Sequence, residues 1–233
     1  MTPEAETEGG QRYDDVDYTE RTYTHPDVLG VGVSEGWADP ETDPTRINWD
    51  ARRAQAAIPF CVVDGRPVNP FGPTGIRYGR NELGHWGEAL AADALVAAND
   101  RDGHRWIVMI ERKDGHGWAL PGGFVDPGEN AVDAVGRELF EETGLDVGDV
   151  VWDMSAPRYV PDPRASDEAW MVTVLAKWHI SGDFPPVVGA DDAARAAWVR
   201  ADNYVTLTDY IARSFRGDVF QAHRDMLREA LDS

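Results

Sequence analysis

Apolar and polar positions alternate along residues 169–180 (AWMVTVLAKWHI) and through residues 105–111 (RWIVMIE), the two-residue period of a strand. Shorter apolar runs at residues 58–63, 147–154 and 197–199 predict further strands, the first closed by the turn pair Asp64-Gly65. Leu29, Val31 and Val33 alternate in the same way inside a turn-rich stretch and read as one more short strand. After Asn130 the period becomes helical: Val132, Val135 and Leu139 share a packing face, Asn130 is an N-cap, Asp133 can reach back to it, and Gly144 is placed to end the run in a left-handed turn. Two more helical stretches, residues 210–215 and 219–231, close the chain. In the second, Val219, Phe220, His223, Leu227 and Leu231 form a stripe that reads as packing. Strands and helices in this mixed order predict an α+β class with helices flanking a mixed sheet.

Composition divides the chain. Residues 1–20 are acidic and almost free of aliphatic side chains, the pattern of a disordered tail. Residues 21–88 are rich in turns and glycine and read as an irregular N-terminal lobe, with Trp37 and Trp49 as plugs onto the main domain, residues 89–233. Residues 157–168 (PRYVPDPRASDE) carry too much proline for a central strand and read as a functional loop or lid. The net charge of −20 argues against nucleic acid or an anionic membrane as a partner, so an anionic substrate would need metal ions or local arginines. One cysteine, Cys61, allows no internal disulfide, and the acidic opening has no leader-like run, which makes a cytoplasmic setting the default.

The chemistry lies on the second face of the helix after Asn130. Glu138, Glu141 and Glu142 stand at i, i+3 and i+4, where like-charge neighbours cost about 0.2–0.5 kcal/mol per pair unless a cation offsets them. Hard oxygen donors in a cluster select Mg²⁺ or Mn²⁺, two or more ions if a diphosphate is bound as well. The glycine turn before the helix lets a backbone carbonyl, that of Gly122, approach a metal, and Glu129 is placed to pair with Arg137. A general base for in-line attack of water on phosphorus comes either from one of these glutamates or from Asp191 or Asp192 on the loop of residues 181–195. Arg77 and Arg80, among permissive glycines, are candidates for substrate phosphates.

From Gly123 the order is glycine, Glu129, Arg137-Glu138, Leu139, Glu141-Glu142, Gly144 and Leu145, which resembles the Nudix box without a mismatch. The segments WADP (37–40), NPFGPTGIRYGRNELGHWG (69–87), WALPGGFVDPGE (118–129) and VPDPRASDEAWM (160–171) are similar to the mitochondrial-type ADP-ribose pyrophosphatases, a subfamily that includes an ADP-ribose-sensing domain of a cation channel. The resemblance implies an α/β/α sandwich around a mixed sheet and hydrolysis of ADP-ribose to AMP and ribose 5-phosphate. It implies metal contacts from Glu138, Glu141, Glu142 and the Gly122 carbonyl, and substrate contacts from Asp162 and Arg164. The alternatives are another nucleoside diphosphate derivative as substrate, or a module that binds ADP-ribose without cutting it. The partner is then a small nucleotide, and the chain a monomer or homodimer.

Overall fold

The computed structural model describes residues 21–126 and 128–232, so the expected tail at residues 1–20 lies outside the described residues. The chain divides into two compact units, one made of Met1–Ala89 with Arg164–Met171 and the other of Leu90–Pro163 with Val172–Ser233. An N-terminal lobe was expected to end at residue 88. The division falls after Ala89 and adds a distant segment, Arg164–Met171, to the first unit.

The main sheet, most of which belongs to the second unit, is mixed and runs in the order β10-β11-β5-β6-β12, from β5 (Gly87–Asn99), β6 (Arg105–Arg112), β10 (Arg158–Val160), β11 (Ala169–Ile180) and β12 (Ala193–Arg200). Short strands β7 (Trp118–Ala119), β8 (Gly122–Phe124) and β9 (Asp153–Met154) pair with β6, β5 and β11. Strand alternation separates two hydrophobic layers. Ala92, Ala94, Val96 and Ala98 of β5, Val108 of β6 and Val174 and Ala176 of β11 pack with Ala134, Val135 and Leu139 of helix α4 (Ala131–Thr143). Leu95, Ala97, Ile107, Met109 and Leu175 point the other way, onto Leu207 and Ile211 of α5 (Tyr204–Phe215) and Met226, Leu227 and Leu231 of α6 (Arg224–Asp232). This is the α/β/α sandwich of an α+β fold. Small alanines on one face of β5 let α4 approach closely, which brings the carboxylates of that helix near the glycine turn.

Local chemistry explains the ends of α4. The Asn130 side chain accepts from the N–H groups of Val132 and Asp133, each at 3.0 Å, and Gly144 takes φ 68° at the C-cap. Asp133 reaches back to the Asn130 side-chain amide at 2.6 Å. Val132 departs from the expected packing face: it is 45% exposed, and Ala134 takes the inward position. Between residues 147 and 154 only Asp153–Met154 is a strand.

Two expectations for the first unit are corrected. Leu29, Val31 and Val33 lie in helices α1 (Pro26–Leu29) and α2 (Val31–Glu35), not in a strand. The His25 side chain caps α1 by accepting from the Asp27 N–H, and Pro26 presets the first helical φ, so local capping outweighs a three-position alternation. The segment of residues 164–168 is not a lid: Ser166, Asp167 and Glu168 are fully buried. Most of their polarity is matched in place: Glu168 accepts from Arg66 Nη1 at 2.6 Å and the Gly79 N–H at 2.7 Å, and Asp167 Oδ1 accepts from the Thr74 N–H at 2.7 Å and Thr74 Oγ1 at 2.9 Å, while Asp167 Oδ2 is buried without a hydrogen-bond partner among the described residues. Trp49 is buried, donating from Nε1 to the carbonyls of Pro44 and Gly65, whereas Trp37 is 41% exposed.

Asp39, buried in this unit, gives a pH test. Burial alone would raise its carboxyl, but hydrogen bonds from His85 and the Trp86 N–H and the charge of Arg52, 2.6 Å away, hold it at about 2 against an ordinary 3.8. A depressed carboxyl stabilises the fold above its ordinary value, and that contribution is lost as pH falls through about 2. Urea unfolding at pH 4 and pH 2 should therefore show native protein losing about 2 kcal/mol more than Asp39→Asn. Equal losses would remove Asp39 as an acid-labile support.

Candidate active site

The glycine turn and α4 together assemble the site. Arg137 holds a bidentate pair with Glu129, Nε to Oε1 and Nη2 to Oε2 at 2.9 Å each, and donates from Nη2 to the Phe124 carbonyl at 3.0 Å. Its Nη1 donates to Glu138 Oε1 at 2.8 Å and Glu141 Oε2 at 3.1 Å. One guanidinium thus ties the turn before the helix to two helix acids, which lowers the Glu129 carboxyl and raises the arginine, in both cases mainly through the Arg137–Glu129 hydrogen bonds.

Glu142 is 2% exposed and accepts from the Gly122 N–H at 2.9 Å. Burial pushes its carboxyl up to about 8, and the negative charges of Glu138 and Asp192 add to the rise, against the Gly122 hydrogen bond and the charge of Arg112. Glu138 is raised mainly by burial, with Glu141 and Asp191 adding and Arg137 opposing. The two glycines are required by close approach. A Cβ at Gly123 would stand 2.5 Å from Glu138 Cδ, and one at Gly122 would stand 2.5 Å from the Ala92 carbonyl oxygen.

The loop carrying Asp191 and Asp192 is pinned beside these acids. The Ala190 N–H donates to the Glu142 carbonyl at 3.1 Å, the Val188 N–H to that of Thr143 at 2.9 Å, and the Lys113 N–H to that of Asp192 at 3.0 Å. Gly122, Glu129, Arg137, Glu138, Glu141, Glu142, Asp191 and Asp192 are therefore gathered within the second unit. Among the described residues no group of three or more His, Cys, Asp or Glu side chains stands in a metal-holding arrangement. Glu138 and Glu141 are instead engaged by Arg137. The donor set nevertheless suits a hard divalent cation: it is all oxygen and partly buried, and burial, with neighbouring negative charge adding to it, raises the Glu138 and Glu142 carboxyls.

The expected substrate residues fall in both units. Arg80 is fully buried in the first unit, donating from Nη1 to the carbonyls of Asp39 at 2.8 Å and Gly84 at 2.6 Å, with its guanidinium 5.2 Å from the Trp86 ring. This is a structural setting, in which the guanidinium is enclosed by protein. Arg77 lies 5.0 Å over the Tyr78 ring in the same unit. Arg164 belongs to the first unit, where its carbonyl accepts from the Glu82 N–H, and Asp162, 7% exposed, belongs to the second. A pocket of about 500 Å³ in the second unit, not foreseen from the sequence, is lined by Arg112, Arg216 and Arg224, by the acids Glu111 and Asp218, and by Trp118 and Phe220 among others. Only the spacing of separate arginines, visible after folding, reveals it.

A family profile described as the NUDIX domain matches residues 89–221, more than half of the chain. The chain belongs to the Nudix family. It is 34% identical to a Caenorhabditis elegans protein that carries the name nudix hydrolase 6, over 80% of this chain and 77% of that one. It is 33% identical to the transient receptor potential cation channel subfamily M member-like 2 of Nematostella vectensis, over 82% of this chain and 15% of the channel. It is 31% identical to the mitochondrial ADP-ribose pyrophosphatase of Rattus norvegicus, over 84% of this chain and 65% of that one. The Nudix match contains every box residue named above, and Nudix hydrolases generally use divalent metals. No helix among the described residues is long and apolar enough to cross a membrane.

Proposed function

We propose that this Nudix chain hydrolyses ADP-ribose to AMP and ribose 5-phosphate, with Mg²⁺ or Mn²⁺ held by Glu138, Glu141, Glu142 and the carbonyl of Gly122. The observation that carries the reading is the gathering of the box acids around a glycine turn in which a Cβ at Gly122 would meet backbone and one at Gly123 the Glu138 carboxylate, with Glu142 buried against the Gly122 N–H. Bound divalent ions would supply neutralisation of the diphosphate and a water of lowered pKa. The residues of the chain do the rest. Arg137 and Glu129 hold the turn to the helix, and the proton of the attacking water goes to a carboxylate drawn from the box glutamates, Asp191 and Asp192. Arg112, Arg216 and Arg224 give the pocket a cationic side suited to an anionic substrate in a chain of net charge −20. The acids Glu111 and Asp218 stand beside them, Arg112 is already paired with Asp114, and the charge of Arg112 reaches Glu142. The name of the rat relative supports ADP-ribose within the diphosphate class.

The likeness to a channel segment supports a second reading, a module that binds ADP-ribose without cutting it. A panel of ADP-ribose, a nucleotide sugar, a dinucleoside polyphosphate and a nucleoside triphosphate, incubated with Mg²⁺ and followed by product identification, separates the readings. The expected result is fastest turnover of ADP-ribose, with AMP and ribose 5-phosphate as products. Faster turnover of another member would reassign the substrate, and ADP-ribose bound but intact after hours would favour the binding module.

A further inference from the structure

His223 reads from sequence as one position in an apolar stripe, yet the structure gives its ring a specific polar task. The backbone from Asp218 to Phe220 runs beside β7 as a parallel rail: the Trp118 N–H donates to the Asp218 carbonyl at 2.8 Å, and the Phe220 N–H donates to the Trp118 carbonyl at 2.7 Å. The N–H of Leu120, the residue that follows β7, turns to the same side and bonds to a side chain. It donates to His223 Nδ1 at 3.1 Å, so an imidazole nitrogen takes the place of the third backbone acceptor. With Nδ1 accepting, Nε2 carries the proton of the neutral ring, and Nε2 faces Asp93 Oδ1 at 3.5 Å.

Asp93 is the partner of Gly122 in the β5–β8 ladder, and its Oδ2 accepts from Thr173 Oγ1 at 2.6 Å. Both side chains are almost fully buried, His223 at 8% and Asp93 at 4% exposed. His223 therefore touches both sides of Pro121-Gly122: Leu120 ahead of the turn through Nδ1, and Asp93 across the ladder through Nε2. The Asp93 carboxylate also stands where a Cβ on Gly122 would fall, 2.6 Å away, so it backs the glycine from behind.

We propose that His223 is a positioning residue that sets the glycine turn, and with it the Gly122 carbonyl, for the metal. The inference rests on the metal-dependent reading of the box. An outer partner that orients a metal donor is worth on the order of 10–100-fold in metal affinity or activity. Asn places a side-chain oxygen at the bond distance of Nδ1 from the backbone and can accept from Leu120. Gln reaches only the Nε2 position and cannot do so without displacing the rail.

The test is Mn²⁺ binding to the full chain without nucleotide, followed by electron paramagnetic resonance of the free ion, for native protein, His223→Asn, His223→Gln and Glu142→Gln. Steady-state kinetics on ADP-ribose run alongside. His223→Gln is expected to weaken Mn²⁺ binding about tenfold or more and to lower kcat with little change in KM, while His223→Asn recovers most of both. Native Mn²⁺ affinity in His223→Gln, or a rise in KM alone, would overturn the proposal, the latter marking His223 as a substrate contact. Because both replacements keep a polar side chain of similar size, a shared loss of folding would also count against a role specific to Nδ1. Loss of Mn²⁺ by Glu142→Gln but not by His223→Gln sinks the positioning role alone. Retention of Mn²⁺ by Glu142→Gln sinks the metal reading and this proposal with it.

Discussion

Glu142→Gln should fold as the native chain does and lose turnover by on the order of a hundredfold to a thousandfold, the scale of removing one group that stabilises transition-state charge. Glutamine keeps an oxygen for the Gly122 N–H, so the contact at 2.9 Å that anchors the helix to the turn survives. What it lacks is the negative charge, which burial and Glu138 already make costly in the absence of a cation. A metal that binds the folded state at a hundred times its Kd stabilises it by about 2.7 kcal/mol. For a chain of this size that is a rise of roughly 5–10 °C in Tm with saturating Mg²⁺ or Mn²⁺. Thermal scans with and without metal should show this rise in native protein and a much smaller one in Glu142→Gln. An equal rise in both would mean that Glu142 is not a ligand.

Gly123→Ala should act through geometry, not charge. The added methyl falls 2.5 Å from Glu138 Cδ, so the carboxylate must swing away or the turn must open. Misplacement by about 1 Å in a reacting arrangement costs on the order of 10²-fold in rate, and the expected loss in kcat is of that size. Since the clash meets the end of a side chain, the folding midpoint should move little. Gly136→Ala is the matched control: nothing lies within 4 Å of its Cβ position, and alanine in a helix interior is favoured over glycine by about 1 kcal/mol. That variant should be fully active and slightly more stable. Similar activity in the two variants would show that the space beside Gly123 is not reserved for Glu138.

The legibility of this chain follows the range of the interactions involved. Helix α4 and its acids could be read in advance because every device that sets them is local: the Asn130 cap, the left-handed Gly144, and the i, i+3, i+4 spacing of the glutamates. The Glu129–Arg137 pair was equally readable, since both ends belong to one short motif. Residues 157–168 read as a functional loop or lid, and the burial of residues 166–168 within them was not legible because it depends on Arg66, Thr74 and Gly79, far away in sequence. Arg80 shows the same difficulty. Its glycine-rich surroundings suggested a phosphate site, and the carbonyls of Asp39 and Gly84 that enclose it could not be foreseen from spacing. His223 passed as part of a stripe because a ring nitrogen standing in for a backbone carbonyl leaves no periodic trace.

The division of labour sharpens as a result. The box acids, the glycine turn, the arginine pocket and His223 all belong to the second unit, while most of the segments that resemble ADP-ribose pyrophosphatases outside the box help to build the first. The box carries phosphoanhydride chemistry, and the choice of ADP-ribose is a separate proposition. The central claim, metal-dependent hydrolysis by the box, is tested most directly by the initial rate of AMP release from ADP-ribose by native protein and Glu142→Gln, each assayed in chelator and then with Mg²⁺ restored. The account predicts no release in chelator, full release by native protein when Mg²⁺ returns, and almost none by the variant. Release that persists in chelator, or that Glu142→Gln matches, would contradict it.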